Sequence, residues 1–407
     1  MLSKRARDEL PSEPSPPKLD VAVVCCGQPK LSMGWFHLTQ LLDEPSVNVC
    51  AVVEPFFLGA GKDSAGAAKF SEMRASLGET HPGISFYATA EELPTRTERT
   101  PMLALIAGRT CDAPKLFTQL VSKGATHIYI EKPGAENASQ LAEMRSLAEQ
   151  HKVAAVVGYN KNVAKYVRDG LSHARKVVGA GDPLPQITLE HCNEFSPGEE
   201  LRAFMAGPGG EGMLHNMCCH ELALAVSLFG VRSERVKRVH LASEKTELIE
   251  LGEGRSDFAR LGFTLELEGE REGEGRGGLH AAGLAVPTIH FSADRCGGNF
   301  SRLHLRYANL VGDSPATHSF TLPDAQHKLW IAEAQAADPE IRSYFLQQAP
   351  DYKSLKRAFI DHILAGKDGI PDGVVGLADA EETLRLADML VPALKQCAQT
   401  GSDWSRD

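Results

Sequence analysis

Six short apolar runs, most of them separated by stretches with helical apolar spacing, constrain this chain more than any single motif. They occupy residues 20–27, 47–53, 84–88, 102–107, 127–130 and 153–158. Each is continuous rather than alternating, the pattern of a strand buried on both faces of a parallel sheet. Between them, segments such as 137–152 (NASQLAEMRSLAEQHK) repeat their apolar residues at helical intervals. Strands alternating with helices of this length build βαβ units, so residues 20–157 are expected to form a doubly wound α/β domain of the Rossmann type.

Past Gly158 the texture changes. A helical piece (163–178) precedes a strand from Gln186, and a helix over about 213–229 follows the Gly-rich run at 207–210. From Val236 to about Pro323 the pattern is strand-rich, with a charged, Gly-rich hairpin tip from Glu268, and two helices near 353–366 and 375–397 close the chain. Strands grouped together predict a second, α+β domain over 158–400, built on an open, mostly antiparallel sheet with helices on one face. Residues 1–19 are polar and Pro-rich, which reads as a disordered leader. The basic cluster Lys4, Arg5 and Arg7 is either a nuclear address or a solvated tail.

The 407 residues suit two domains. A net charge of -10 argues against a nucleic-acid partner, which needs clustered Lys and Arg. No apolar run approaches the roughly 20 residues that cross a bilayer, and no secretory segment opens the chain. Nine scattered cysteines, without a C-x-x-C pair, fit reduced thiols in the cytoplasm. The cluster His215, Cys218, Cys219 and His220 resembles metal ligands, but a regular helix turns His220 away from the other three, so no metal is expected.

A dinucleotide fold needs glycines where the first strand meets the first helix, so that backbone N–H groups can approach the pyrophosphate. Gly27 and Gly34 can serve there, although Cys25 stands where a first glycine is usual, the spacing is lengthened, and Pro29 removes one donor. Glu54 lies 20 residues beyond Gly34 and closes the second strand. There a carboxylate can accept the ribose hydroxyls and repel a 2′-phosphate, which favours NAD over NADP. The plainer reading of Glu54 is an exposed strand-end residue.

Two further groups carry chemistry. Glu131-Lys132-Pro133 ends the fifth apolar run, and His220 lies on the helix that follows the second Gly-rich run. A cation at a strand's carboxyl end can stabilise an alkoxide, and an imidazole can take the departing proton. Each has a bland alternative: a surface lysine in a turn, and a core histidine with its own partners.

In this order the segments Gly34-Trp-Phe-His37, Glu131-Lys132-Pro133, Gly158-Tyr-Asn-Lys-Asn162, Gly209 to His220 and the closing helices resemble the Gfo/Idh/MocA family of dehydrogenases. The resemblance covers most of residues 20–400. It implies an NAD(P)-dependent oxidoreductase acting on a small hydroxylated or carbonyl substrate, sugar- or polyol-like. Lys132 would hydrogen-bond the reacting oxygen and His220 would relay the proton. It implies cofactor contacts at Gly27, Gly34, Glu54, Thr110, Glu131, Lys132 and Pro133, substrate contacts at Asn160 and Lys161, and a homo-oligomer. The chain departs from the family pattern at Asn216, where an acid is usual one turn before His220, and in the loop 107–113, which lacks the usual Thr-Pro-Asn and His. Those departures leave open a second reading, a catalytically inactive nucleotide-binding regulatory or scaffold relative.

Overall fold

A computed structural model describes residues 18–97, 100–177, 185–207, 210–268, 286–308 and 316–406. The N-terminal half alternates as expected: β1 (Leu19–Val24), α1 (Met33–Leu42), β2 (Val47–Val53), α2 (Ala67–Thr80), β3 (Ser85–Tyr87), β4 (Met102–Ile106), α3 (Ala113–Ser122), β5 (His127–Ile130), α4 (Ala138–His151) and β6 (Ala154–Val157). The six strands form one sheet in the order β3-β2-β1-β4-β5-β6, and every pairing in it is parallel. Order reverses between β1 and β4, and a crevice at such a switch point is where open α/β sheets take their ligands. Local chemistry sets the helix ends. Asn137 caps α4 by accepting from the Gln140 N–H at 3.0 Å, and Lys152 closes it in the left-handed region. The strand begins at Leu19, which is fully buried, one residue before the sequence boundary of the leader; residues 1–17 of that leader and the charged hairpin tip beyond Glu268 lie outside the described residues.

The second half continues with α5 (Lys165–Val177), β7 (Gln186–Cys192), α6 (Glu199–Ala206), α7 (Cys219–Phe229), β8 (Val236–Leu241), β9 (Glu247–Gly252), β10 (Arg255–Leu267), β11 (Thr288–Asp294), β12 (Phe300–Tyr307), β13 (Ala316–Leu322), α8 (Ala325–Ala337), α9 (Ser343–Leu364), α10 (Leu377–Thr400) and β14 (Trp404–Ser405). Its eight-stranded sheet runs β13-β12-β7-β11-β10-β8-β14, with β9 paired to β10. One pair, β7 with β11, is parallel and the rest are antiparallel.

One face of this sheet is apolar. Leu189, Phe263, Phe291, Leu303 and Leu305 pack there against α5, α7 and the second half of α10. That apolar face is therefore covered within the chain. The opposite face carries polar side chains such as Glu190, Thr264, His290 and His304.

Sequence spacing under-read the C-terminal helices. The helix α9 starts ten residues earlier than the apolar spacing indicates and runs through Pro350, and α8 was not expected at all. Both α9 and α10 return to the first sheet. Leu355, Phe359 and Ile363 join the core beneath β1 and β2, and Ala380 and Leu384 join the core on the side of α3 and α4. This return brings helix side chains from the end of the chain to the crevice at β1.

Candidate active site

The candidate site is built from the turn after β5. Glu131 and Lys132, partly exposed, lie just past Ile130, and the Lys132–Pro133 peptide is cis. Glu131 is fixed by three donors. Its Oε1 meets His37 Nε2 at 2.8 Å and accepts from the Tyr129 hydroxyl at 3.0 Å, and its Oε2 accepts from the Tyr352 hydroxyl at 3.3 Å. Burial works against the Glu131 charge, but the bonds from His37 and Tyr129 and the nearby Lys132 outweigh it and hold the carboxyl below the usual range. Behind it, Lys356 Nζ reaches His37 Nδ1 at 2.8 Å. Burial, then the Lys356 charge, push His37 down to about 4, so the ring is neutral near pH 7. The tautomer follows: Nδ1 accepts from Lys356 and Nε2–H donates to Glu131. Lys356, stripped of solvent, is itself lowered to about 7.

Lys132 points away from Glu131 to the second domain, where its Nζ donates to the Asn216 carbonyl at 2.9 Å. Burial tends to discharge it, but Cys219, Tyr344, Glu131 and Glu211 act together to raise it above an ordinary lysine, so it remains an ammonium. The loop after β4 joins the same contact, because Thr110 Oγ1 donates to Glu211 Oε1 at 3.1 Å.

The helix expected over 213–229 is interrupted. Gly212 has φ 88°, Met213–Met217 forms a wide π turn closed by Cys218 N–H to Met213 O at 2.8 Å, and α7 begins only at Cys219. Such turns occur at functional sites. A buried pair holds this one: Arg295 bonds Asp257 at 3.0 Å, and Asp257 Oδ1 accepts from Met213 N–H at 3.0 Å. The turn interrupts the regular helix in which Asn216 would stand one turn before His220. What the turn presents to Lys132 is the Asn216 backbone carbonyl. His220 sits in the first turn of α7, 3 % exposed, edge-on to Tyr159 at 5.8 Å. Its Nδ1 has no partner among the described residues, and neither does the Tyr159 hydroxyl. Burial, then the charges of Lys161 and Lys132, drive its pKa well below the usual histidine value. His220 is a neutral imidazole with one buried, unpartnered nitrogen.

At the other end of the crevice the glycine turn and the acid converge. Gly27 has φ 73°, and its N–H donates to Glu54 Oε2 at 2.6 Å. A Cβ on Gly34 would overlap the Cys25 carbonyl oxygen, so only glycine lets α1 start against β1. Glu54, 2 % exposed, also accepts at Oε1 from the Phe56 and Phe57 N–H groups, at 3.0 and 3.3 Å. A carboxylate offers about four acceptor sites, which leaves Glu54 one beyond these bonds. Gln28 N–H is taken by Ser32 Oγ at 2.9 Å. The donor set suits a ribose hydroxyl chemically, a carboxylate with one acceptor site left beside a glycine turn, although the Gly27 amide is already bonded to that carboxylate.

Asn160 and Lys161, expected to touch substrate, are buried at 0 and 1 %. Asn160 donates to Gln348 at 3.0 Å, and its Oδ1 lacks a partner among the described residues. Lys161 Nζ sits 2.7 Å from Glu221 Oε1 and 2.6 Å from His191 Nδ1. The Lys161 ammonium is thus held by protein groups and acts on His220 through its charge. The sequence reading had not singled out Tyr129, His191, Glu221, Tyr352 or Lys356 as part of this assembly. A signal existed for Lys356, a lone cation among Leu355, Phe359 and Ile360 on an apolar helix face. The metal cluster weighed around His215 is absent: His215 pairs with Asp388 at 2.9 Å, and no group of metal-ligating side chains occurs among the described residues. Nor is any helix among them long and apolar enough to cross a membrane.

No protein-family model matches the chain, and no curated protein does. Solved structures do. Scyllo-inositol dehydrogenase from Lactobacillus casei, with bound NAD(H) and scyllo-inositol, superposes with a TM-score of 0.63 at 10% identity, covering 95% of this chain and 99% of that one. A myo-inositol dehydrogenase from Corynebacterium glutamicum gives 0.60 at 18% identity over 96% and 99%. A putative NADPH-dependent oxidoreductase from Desulfitobacterium hafniense gives 0.62 at 13% over 95% and 98%. The chain therefore has the two-domain Gfo/Idh/MocA fold, in a strongly divergent sequence.

Proposed function

We propose that this chain is an NAD(P)-linked oxidoreductase that moves a hydride between a nicotinamide and a carbinol carbon of a small polyol- or sugar-like compound. The observation that carries the reading is the meeting of Lys132, from the end of β5, with the turn that leads into His220. Two groups more than eighty residues apart come near enough for the Lys132 charge to act on His220, and Lys132 follows the carboxyl end of a parallel strand, where such folds bind ligands. The dehydrogenases of the same fold support it.

When bound, the nicotinamide accepts or gives the hydride. The chain's own groups do the rest. Lys132, kept charged, donates a hydrogen bond to the reacting oxygen and stabilises the negative charge that grows on it. His220, kept neutral, offers the unpartnered Nδ1 as acceptor for the departing proton. Glu131, held by His37, Tyr129 and Tyr352, fixes the backbone from which Lys132 projects. Gly27, Gly34 and Glu54 receive the adenosine end, and Glu54 favours NAD over NADP by repelling a 2′-phosphate. Thr110 and Pro133 would contact the cofactor, and the buried Lys161 acts on His220 through its charge. Asn216 cannot supply an acid's negative charge to an imidazolium, so proton transfer leans on the Lys132–His220 pair.

The experiment is turnover of a polyol and sugar panel with NAD and NADP, for the wild type and Lys132→Ala. Loss of at least about 100-fold in the variant is the expected result; equal turnover removes Lys132 from the chemistry. A second reading, nucleotide binding without turnover, is favoured by Asn216 and by the glycine-loop amides already satisfied within the chain. Saturable quenching or enhancement of NADH fluorescence with no turnover on any panel member would select it.

A further inference from the structure

A second cavity, of about 600 Å³, opens in the C-terminal half between α5, β13, α8 and α9, and it includes neither Lys132, His220 nor the glycine turn. Its volume lies within the roughly 300–1,000 Å³ of small-molecule sites. Phe320, Leu322 and Trp330 supply apolar wall, and Trp330 is a large aromatic left 43 % exposed on a helix with no buried residue. Asp351 of α9 lines the cavity and is only 3 % exposed.

The charged groups around the cavity are engaged, with one exception. Asp324 caps α8 by accepting from the His327 N–H at 2.9 Å, and His327 Nε2 is bound to the Leu346 carbonyl at 3.1 Å. Asp169 pairs with Lys165 at 2.5 Å. Asp351 Oδ2 has no partner among the described residues. Burial raises its carboxyl to about 7 against the pull of Lys161 and Arg168. A carboxyl oxygen buried without a donor is costly, and native proteins rarely keep one without a reason.

We propose that this cavity binds a small organic cation, with its ammonium against the Asp351 carboxylate and its apolar body between Phe320 and Trp330. A cation supplies both what the buried acid lacks and what an aromatic face attracts. An anion is disfavoured by three aspartates around a lysine that is already paired. This site is independent of the redox reading and stands or falls apart from it.

Benzylamine, with neutral benzyl alcohol as its match in shape, tests the proposal by calorimetric titration of the full chain. Benzylamine is expected to saturate one site and bind at least about tenfold tighter than benzyl alcohol. Asp351→Asn should bring it down to the level of the alcohol, and Trp330→Ala, at an exposed position where folding is not at issue, should weaken both several-fold. No saturable benzylamine binding, equal affinity for the two probes, or an Asp351→Asn protein that binds benzylamine unchanged overturns the site. Should Asp351→Asn not fold, Trp330→Ala decides, because unchanged benzylamine binding there overturns it equally.

Discussion

Replacing Lys356 by methionine isolates the cost of the buried ammonium behind the crevice. Lys356 is 3 % exposed, its Nζ touches His37 Nδ1 at 2.8 Å, and its pKa falls from 10.5 to about 7 through loss of solvent, opposed by Glu131. A folded value below the unfolded one means that the folded chain binds the proton less well. Between about pH 7 and 10.5 the unfolded state therefore holds a proton that the native state has released, and stability rises with pH. The gap of about 3.5 pH units corresponds to roughly 5 kcal/mol, present in full below pH 7 and about 2 kcal/mol at pH 9. Methionine removes that cost but leaves His37 Nδ1 without its donor, a loss of about 1–3 kcal/mol. At pH 6 the variant is thus expected to be the more stable protein by about 2–4 kcal/mol, and at pH 9 the two should be nearly equal. Urea unfolding of both proteins at the two pH values, read by tryptophan fluorescence, measures the difference. A difference that does not change with pH would refute the claim that Lys356 is buried and largely discharged above pH 7.

Gly34→Ala forces a Cβ into the Cys25 carbonyl and should destabilise the first domain by about 3 kcal/mol or more, seen as a lowered Tm; a silent substitution would mean that α1 does not start against β1. Lys161→Met leaves Glu221 buried without its cation, with an expected loss of about 3–5 kcal/mol in urea unfolding, whereas a neutral result would place the pair in solvent. Glu54→Gln keeps the shape and removes the charge. The preference for NAD(H) over NADP(H), read as a ratio of dissociation constants from NADH and NADPH fluorescence, should narrow about tenfold, and an unchanged ratio would take Glu54 away from the ribose.

The alternation of strands and helices was legible because β1, β2, β4, β5 and β6 are buried on both faces, and continuous apolar runs encode just that. The grouping of later strands was legible for the complementary reason: β11 and β12 alternate buried and half-buried residues along one covered face. What spacing could not reveal was set by distant contacts. The π turn at 213–217 depends on Asp257 and Arg295, some forty to eighty residues downstream, so its sequence still looked like helix. The α9 helix crosses Pro350, a residue that argues for a boundary, and its burial of Lys356 follows from packing on a sheet laid down three hundred residues earlier. Of the site, Lys132, His220 and Glu54 were visible as chemistry at strand and helix ends. The polar shell of Tyr129, His37, Tyr352 and Lys356 was not, because its members come from three separate elements and meet only around Glu131.

A crystal structure of the chain with NAD bound tests the central claim most directly. The account expects the nicotinamide ring in the crevice between the turn after β5 and the start of α7, with Lys132 Nζ released from the Asn216 carbonyl toward the substrate space and His220 Nδ1 facing the same side. A dinucleotide lying elsewhere, or a ring bound with Lys132 and His220 on opposite sides of a packed wall, would contradict it.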